Sequence, residues 1–160
     1  MSQIFTPAES VKAVAKDLIR NFHPELASAR IEYIFREKSG KKGGKEVRGS
    51  VRRISGSLEF LLNLDFLMEI ALEAWNPLSD TQRTALVDHL LERCTGEEDE
   101  QNGGAMKWKL REPDVHEFSA ILRRHGIWNK DLEGFVSVAQ DLGISTQDIS
   151  QEAQRIFTTN

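Results

Sequence analysis

A single cysteine, Cys94, leaves no internal partner for a disulfide, which excludes a cross-linked secreted scaffold and leads us to expect a reducing, cytoplasmic setting. No apolar run approaches the roughly 20 residues that a membrane span needs. Met1 to Thr6 lack the basic and apolar regions of a signal peptide. There is no glycine-rich phosphate loop after a strand, no serine or cysteine triad that spacing could argue, and no internal repeat. What is present is 39% hydrophobic and 29% charged residues in a chain of 160, the composition of an ordinary globular protein. A chain of that length buries roughly two-thirds of its unfolded surface, so it needs no metal merely to fold.

Charge is unevenly spread. The net value is -4, yet Arg36 to Arg53 holds eight basic residues (Arg36, Lys38, Lys41, Lys42, Lys45, Arg48, Arg52, Arg53) against only Glu37 and Glu46. A +6 segment on a body of -10 can hold an anionic partner locally while the body repels it elsewhere.

Along the chain, Thr6-Pro7-Ala8-Glu9 has the form of a helix start, with threonine as cap and Glu9 closing a capping box. Val11, Val14, Leu18 and Phe22 continue the helix to about His23-Pro24. Ala29 to Lys38 alternates as a strand, Ser39 to Gly44 is a turn, and Val47 to Ile54 is the returning strand of a hairpin. Leu58 to Leu64 reads as a short helix or a covered segment. The first part of Asp65 to Trp75 reads as a strand covered on both faces, with a helix as the alternative. Ser79 or Asp80 caps a helix that runs to about Cys94. Thr95 to Gly104 reads as an acidic loop, Lys107 to Leu110 as a brief strand, and Pro113-Asp114 as the start of a helix stopped by Gly126. Two further helices are expected, near Lys130 to Leu142 and Thr146 to Phe157. Trp75, Trp108 and Trp128 are expected to pack in the core or at hinges.

Chemistry is concentrated in Leu86-Val87-Asp88-His89-Leu90-Leu91-Glu92-Arg93-Cys94. The stretch resembles a zincin helix, H-E-x-x-H, in which two histidines four apart grip zinc and the glutamate acts as general base on the bound water. Only His89 survives. Leu90 stands at the glutamate position and Arg93 at the second histidine. Leucine has no lone pair to take a proton, and arginine stays cationic and would repel a metal. Cys94, about 140° around the helix from His89, reads as a small buried apolar residue.

Several ordered blocks carry the likeness further. They are Phe5-Thr6-Pro7-Ala8-Glu9-Ser10-Val11, Ile31-Glu32-Tyr33-Ile34-Phe35-Arg36, Trp75-Asn76-Pro77-Leu78-Ser79-Asp80, Gln82 to His89, Pro113-Asp114-Val115-His116-Glu117-Phe118 and Arg124-His125-Gly126-Ile127-Trp128. Over Phe5 to Phe135 the chain is similar to the metallopeptidase family encoded by phages and prophages. The resemblance implies an α+β fold over residues 1–128. This would be a minimal zincin-like domain: an N-terminal helix, a small mostly antiparallel sheet, an active-site-type helix and a following helix. A helical extension, 129–160, would pack on it. The resemblance also implies a downstream ligand at Glu117 or its neighbour His116. With Leu90 and Arg93 where they are, no catalytic residue is expected, and His89, Arg93 and Glu117 read as remnants. Arg93 would bring its own charge to a former cation site and pair with Glu117 or Asp88.

Three functions compete. The first is an inactive metallopeptidase-like phage protein that binds a host or defence-system protein in the host cytoplasm, with no cofactor. The second is a hydrolase with a rebuilt zinc site from His89 and Glu92 with His116 or Glu117. The third is a nucleic-acid-binding module using the eight basic residues of the hairpin. Val136, Ala139, Leu142, Ile144, Ile149 and Ile156 give the C-terminal helices an apolar side, which leaves a homo-oligomer open.

Overall fold

The computed structural model describes residues 2–143. They divide into two compact units, Met1–Arg111 and Glu112–Asn160. The helix expected near Thr146 to Phe157 lies outside the described residues. Helices and strands are mixed along the chain, so the fold is α+β, as expected of a zincin-like domain.

The first unit opens with β1 (Phe5–Pro7), then α1 (Glu9–Phe22), β2 (Ile31–Arg36), β3 (Gly40–Lys42), β4 (Lys45–Val47) and β5 (Gly49–Arg53). There follow α2 (Gly56–Leu62), β6 (Phe66–Ala71), α3 (Leu72–Trp75), α4 (Asp80–Glu92), β7 (Cys94–Asp99) and β8 (Ala105–Leu110). The main sheet has the order β1-β2-β6-β5. β6 runs parallel to β2 and antiparallel to β5.

This order corrects the expected hairpin. β2 and β5 do not pair with one another, because β6 lies between them. Only the tip closes as a hairpin, β3 against β4, with Gly43 and Gly44 at positive φ where side chains are disfavoured. Phe66-Leu67-Met68-Glu69-Ile70-Ala71 is the most apolar strand, and the centre of a sheet buries it best. β6 is not covered on both faces, however. Phe66, Met68 and Ile70 are buried, while Leu67 and Glu69 on the other face are only half-buried. Met68 and Ile70 align with Tyr33 and Phe35 of β2, and Val51 of β5 aligns with Met68. Together they make one apolar surface, against which α1 (through Val11, Ala15 and Leu18) and α4 (through Val87, Leu90 and Leu91) contribute to a single core.

Three further expectations differ. Thr6 caps no helix: Phe5–Pro7 pairs with Arg36, Phe35 and Ile34 as an edge strand, a place proline tolerates. Helix α1 starts without a side-chain cap. The first half of the acidic stretch, Thr95 to Asp99, lies in strand β7, paired with β8 so that Glu97 faces Lys107. A Cβ on Gly96 would come within 2.4 Å of Trp108 Cε3, so only glycine allows this close approach. Trp108 is buried edge-on to Phe66, and Trp75 packs on Phe35.

In the second unit, residues 113–118 are not helical. Helix α5 spans Ser119–His125 and ends at Gly126, and α6 spans Lys130–Asp141 with Asn129 as its cap. Trp128 is exposed rather than packed in a core.

An ion pair between the buried carboxylate of Asp65 and the exposed Arg30 anchors the start of β6. The Asp65 carboxylate accepts from Arg30 Nη2 (2.7 Å), Nε (3.0 Å) and backbone N (2.8 Å). Burial pushes this carboxyl up, but the Arg30 hydrogen bonds and charge, with Arg53 beyond, outweigh it and hold Asp65 below its ordinary value of 3.8. A depressed folded value makes its stabilisation complete above the ordinary range and lost as pH falls through the folded value. We therefore expect Asp65→Asn to lose about 2 kcal/mol in urea melts at pH 7, and the gap to the wild type to narrow below pH 4.

Candidate active site

Helix α4 carries the zincin-like positions. Its start is set by a capping box: Gln82 N donates to Ser79 Oγ (3.2 Å), and Ser79 N donates to Gln82 Oε1 (2.9 Å). From that start the 3.6-residue period turns Val87, Leu90 and Leu91 into the core and leaves His89 exposed.

Leu90, at the position of the general base, is only 2% exposed. It lies over Gly49 of β5, where a Cβ would stand 2.9 Å from Leu90 Cδ1 and 3.3 Å from Ile70 Cγ1. The base position is thus sealed into the core and does not face a cleft. Arg93 ends the helix. Its carbonyl accepts from Arg111 N (2.8 Å), and its Nε lies 3.4 Å from the Arg111 carbonyl, which ties the end of α4 to the end of β8.

Two neighbours on α4 belong to a cluster that the sequence did not suggest. His23, 4% exposed at the end of α1, has Nε2 2.6 Å from Asp88 Oδ1 and Nδ1 3.7 Å from Glu92 Oε2. A carboxylate only accepts, so Nε2 carries the hydrogen in this contact and is unavailable to a metal. Glu92 Oε1 accepts from Arg111 Nη1 (2.9 Å). Asp88 and Glu92 are four apart on one helical face, which is the local signal. Their partner lies 65 residues earlier, beyond the reach of periodicity.

The downstream candidates lie in the other unit. Glu117 accepts from Phe118 N (2.7 Å) with one oxygen and from Trp128 Nε1 (3.0 Å) with the other. His116 is 3.9 Å from Glu112, and both are exposed. Neither His116 nor Glu117 is on a helix, as the resemblance had implied. Among the described residues no group of three His, Cys, Asp or Glu side chains could hold a metal ion.

A family model described as "putative phage metallopeptidase" matches residues 4–152. The chain belongs to that family. The match continues past Phe135, where the likeness read from the sequence stopped. No curated protein and no solved structure matches the chain. Membership implies a zinc-type centre, but the residues at its positions do not fit one. His89 is the one imidazole at those positions, Arg93 supplies a cation, and Leu90 is an aliphatic group packed against Gly49.

The basic segment divides in two. Arg36 donates to the Val47 carbonyl (2.6 Å), Arg48 lies 3.5 Å from Glu46, and Arg52 lies 3.5 Å from Glu69. Arg53 donates to the carbonyls of Trp108 (2.9 Å) and Asp65 (3.1 Å). Arg36 and Arg53 thus tie backbone segments together, whereas Arg48 and Arg52 make surface pairs. Lys38, Lys41, Lys42 and Lys45 are exposed at and beside the β3–β4 tip.

Cys94 is buried, with Sγ 3.6 Å from the Leu90 carbonyl. Burial pushes its thiol up to about 12, against a smaller opposing effect of Arg93.

Leu90→Glu would bury a carboxylate without a partner and should cost about 4 kcal/mol in denaturant melts, whereas His89→Ala should change stability by less than about 0.5 kcal/mol. A thiol-reactive dye at pH 8 should leave Cys94 unlabelled in the native protein and label it fully once urea unfolds the chain.

Proposed function

We propose that this protein is a catalytically silent member of the phage metallopeptidase family, acting in the host cytoplasm by binding a host or defence-system protein. The observation that carries the reading is Leu90, packed onto Gly49 in the core at the position where the family helix keeps its base. Metal-assisted hydrolysis needs a basic group within reach of the metal-bound water, and an aliphatic side chain closed off from solvent supplies none. Arg93 strengthens the reading, since a guanidinium stays charged at any physiological pH and repels a divalent ion. Asp88 and Glu92, the acids nearest His89, are engaged with His23 and Arg111. A fold that keeps its helix and sheet but not this chemistry retains its surface as the means of action.

Metal analysis and a peptide-hydrolysis assay on protein purified without a histidine tag test the first half. We expect well under one zinc per chain and no turnover. One zinc per chain that is lost in His89→Ala, together with turnover, would replace this reading with the rearranged-site hydrolase. The second half is tested by capture from infected cells followed by reconstitution from purified components. A stoichiometric protein complex is expected, and failure to reconstitute one would overturn it.

The exposed lysines of the β3–β4 tip support a second reading, sequence-independent phosphate contact. It requires DNA binding that weakens with salt and is lost when Lys41, Lys42 and Lys45 are neutralised together.

A further inference from the structure

Helix α2 is built inside out. A surface helix ordinarily turns its apolar stripe inward. Here Leu58, Phe60, Leu61 and Leu62 are 55%, 86%, 72% and 57% exposed. The residue that faces the fold is Glu59, whose oxygens lie 3.3 Å from Arg53 Nη2 and 3.5 Å from Arg30 Nη2. Arg30 is held in turn by Asp65 and by the side chain of Asn63. The orientation is fixed at both ends as well. Gly56 starts the helix at φ +64, and Asn63 ends it at φ +51, the one non-glycine residue with positive φ among the described residues. Asparagine tolerates that conformation better than most residues. A polar anchor beneath and a positive-φ residue at each end set the direction in which these four apolar side chains face within the first unit.

We propose that α2 is the contact surface of a twofold-symmetric dimer of this chain. The size of the patch favours a second copy. Four side chains this exposed present on the order of 500 Å², toward the top of the range for the largest patch on a monomer. A twofold contact counts that area twice, reaching the roughly 1,000 Å² at which specific interfaces begin. Its chemistry points the same way. A twofold axis lays a surface on itself, which suits a patch with no charge at its centre. The nearest charges, Glu59, Arg30 and Arg53, already pair within the chain. Its shape completes the argument. Beside the protruding side chains is an open cleft of about 420 Å³ lined by Arg30, Gly56, Glu59, Phe60 and Asn63. A knob and a hollow side by side on one element fit each other when two copies meet head to head. Phe60 of each copy enters the hollow of the other, whose wall includes the Arg30 side chain. The proposal does not depend on whether the protein is catalytically silent.

Sedimentation equilibrium of the full chain from 1 to 200 μM tests it. We expect a reversible monomer–dimer equilibrium in this range. Phe60→Asp and Leu61→Asp should each raise the dimer Kd at least tenfold while leaving the thermal melt of the monomer unchanged. Phe22→Asp, a charge placed on an equally exposed aromatic of α1, should leave the Kd as it was. A chain that stays monomeric at 200 μM would overturn the proposal, and the patch would then belong to a different partner. A dimer indifferent to both α2 variants, or one weakened equally by Phe22→Asp, would also overturn it.

Discussion

Helix α4 comes so close to the sheet at Gly49 that one added carbon would stand 2.9 Å from Leu90 and 3.3 Å from both Ile70 and the Glu69 carbonyl. That approach lets Val87, Leu90 and Leu91 join the apolar surface of β2, β5 and β6 in one core. A side chain at position 90 points into close-packed protein, where voids are few and a charge without a partner is costly. Leu90 completes the core there.

The polar contacts around α4 are consistent with a structural use of what membership would make a metal centre. Asp88 and Glu92 flank His23, so the outer face of α4 is joined to the end of α1 by an imidazole between two carboxylates. Arg93 and Arg111 join the end of α4 to the end of β8 through paired backbone groups, and Arg111 adds an ion pair to Glu92. Of these contacts the one on the His23 ring is buried on the imidazole side, whereas the Arg111–Glu92 pair is exposed and contributes little to stability.

At the opposite end of the sheet, Arg30, Asp65 and Arg53 act as a polar keystone. Asp65 is buried yet fully partnered, so its charge costs little, and the same arginines reach Glu59 and set the direction in which α2 faces. An apolar stretch such as Leu58 to Leu64 would by periodicity alone be assigned to the interior. Leu58, Phe60, Leu61 and Leu62 face outward while Leu64 is buried, because Glu59 among them pairs with Arg30 and Arg53 on the side of the fold.

Much of this was legible in the residues themselves. The helix cap at Ser79 or Asp80, the strand character of Ile31–Arg36, the burial of Cys94 and the mixed α+β class all follow from neighbours within a turn or a strand of one another, and short-range hydrogen bonds and side-chain periodicity encode such features directly. Tertiary structure alone decided that β6 would separate β2 from β5, that Thr6 and Pro7 would serve a sheet edge instead of a helix cap, that Glu97 and Glu98 would lie in a strand, and that His23 would reach Asp88. Each of these depends on pairing between segments, from the short β7–β8 hairpin to contacts tens of residues apart, and the free energy of burying the most apolar strand at the centre of a sheet outweighs the local preferences that a chain displays on its own.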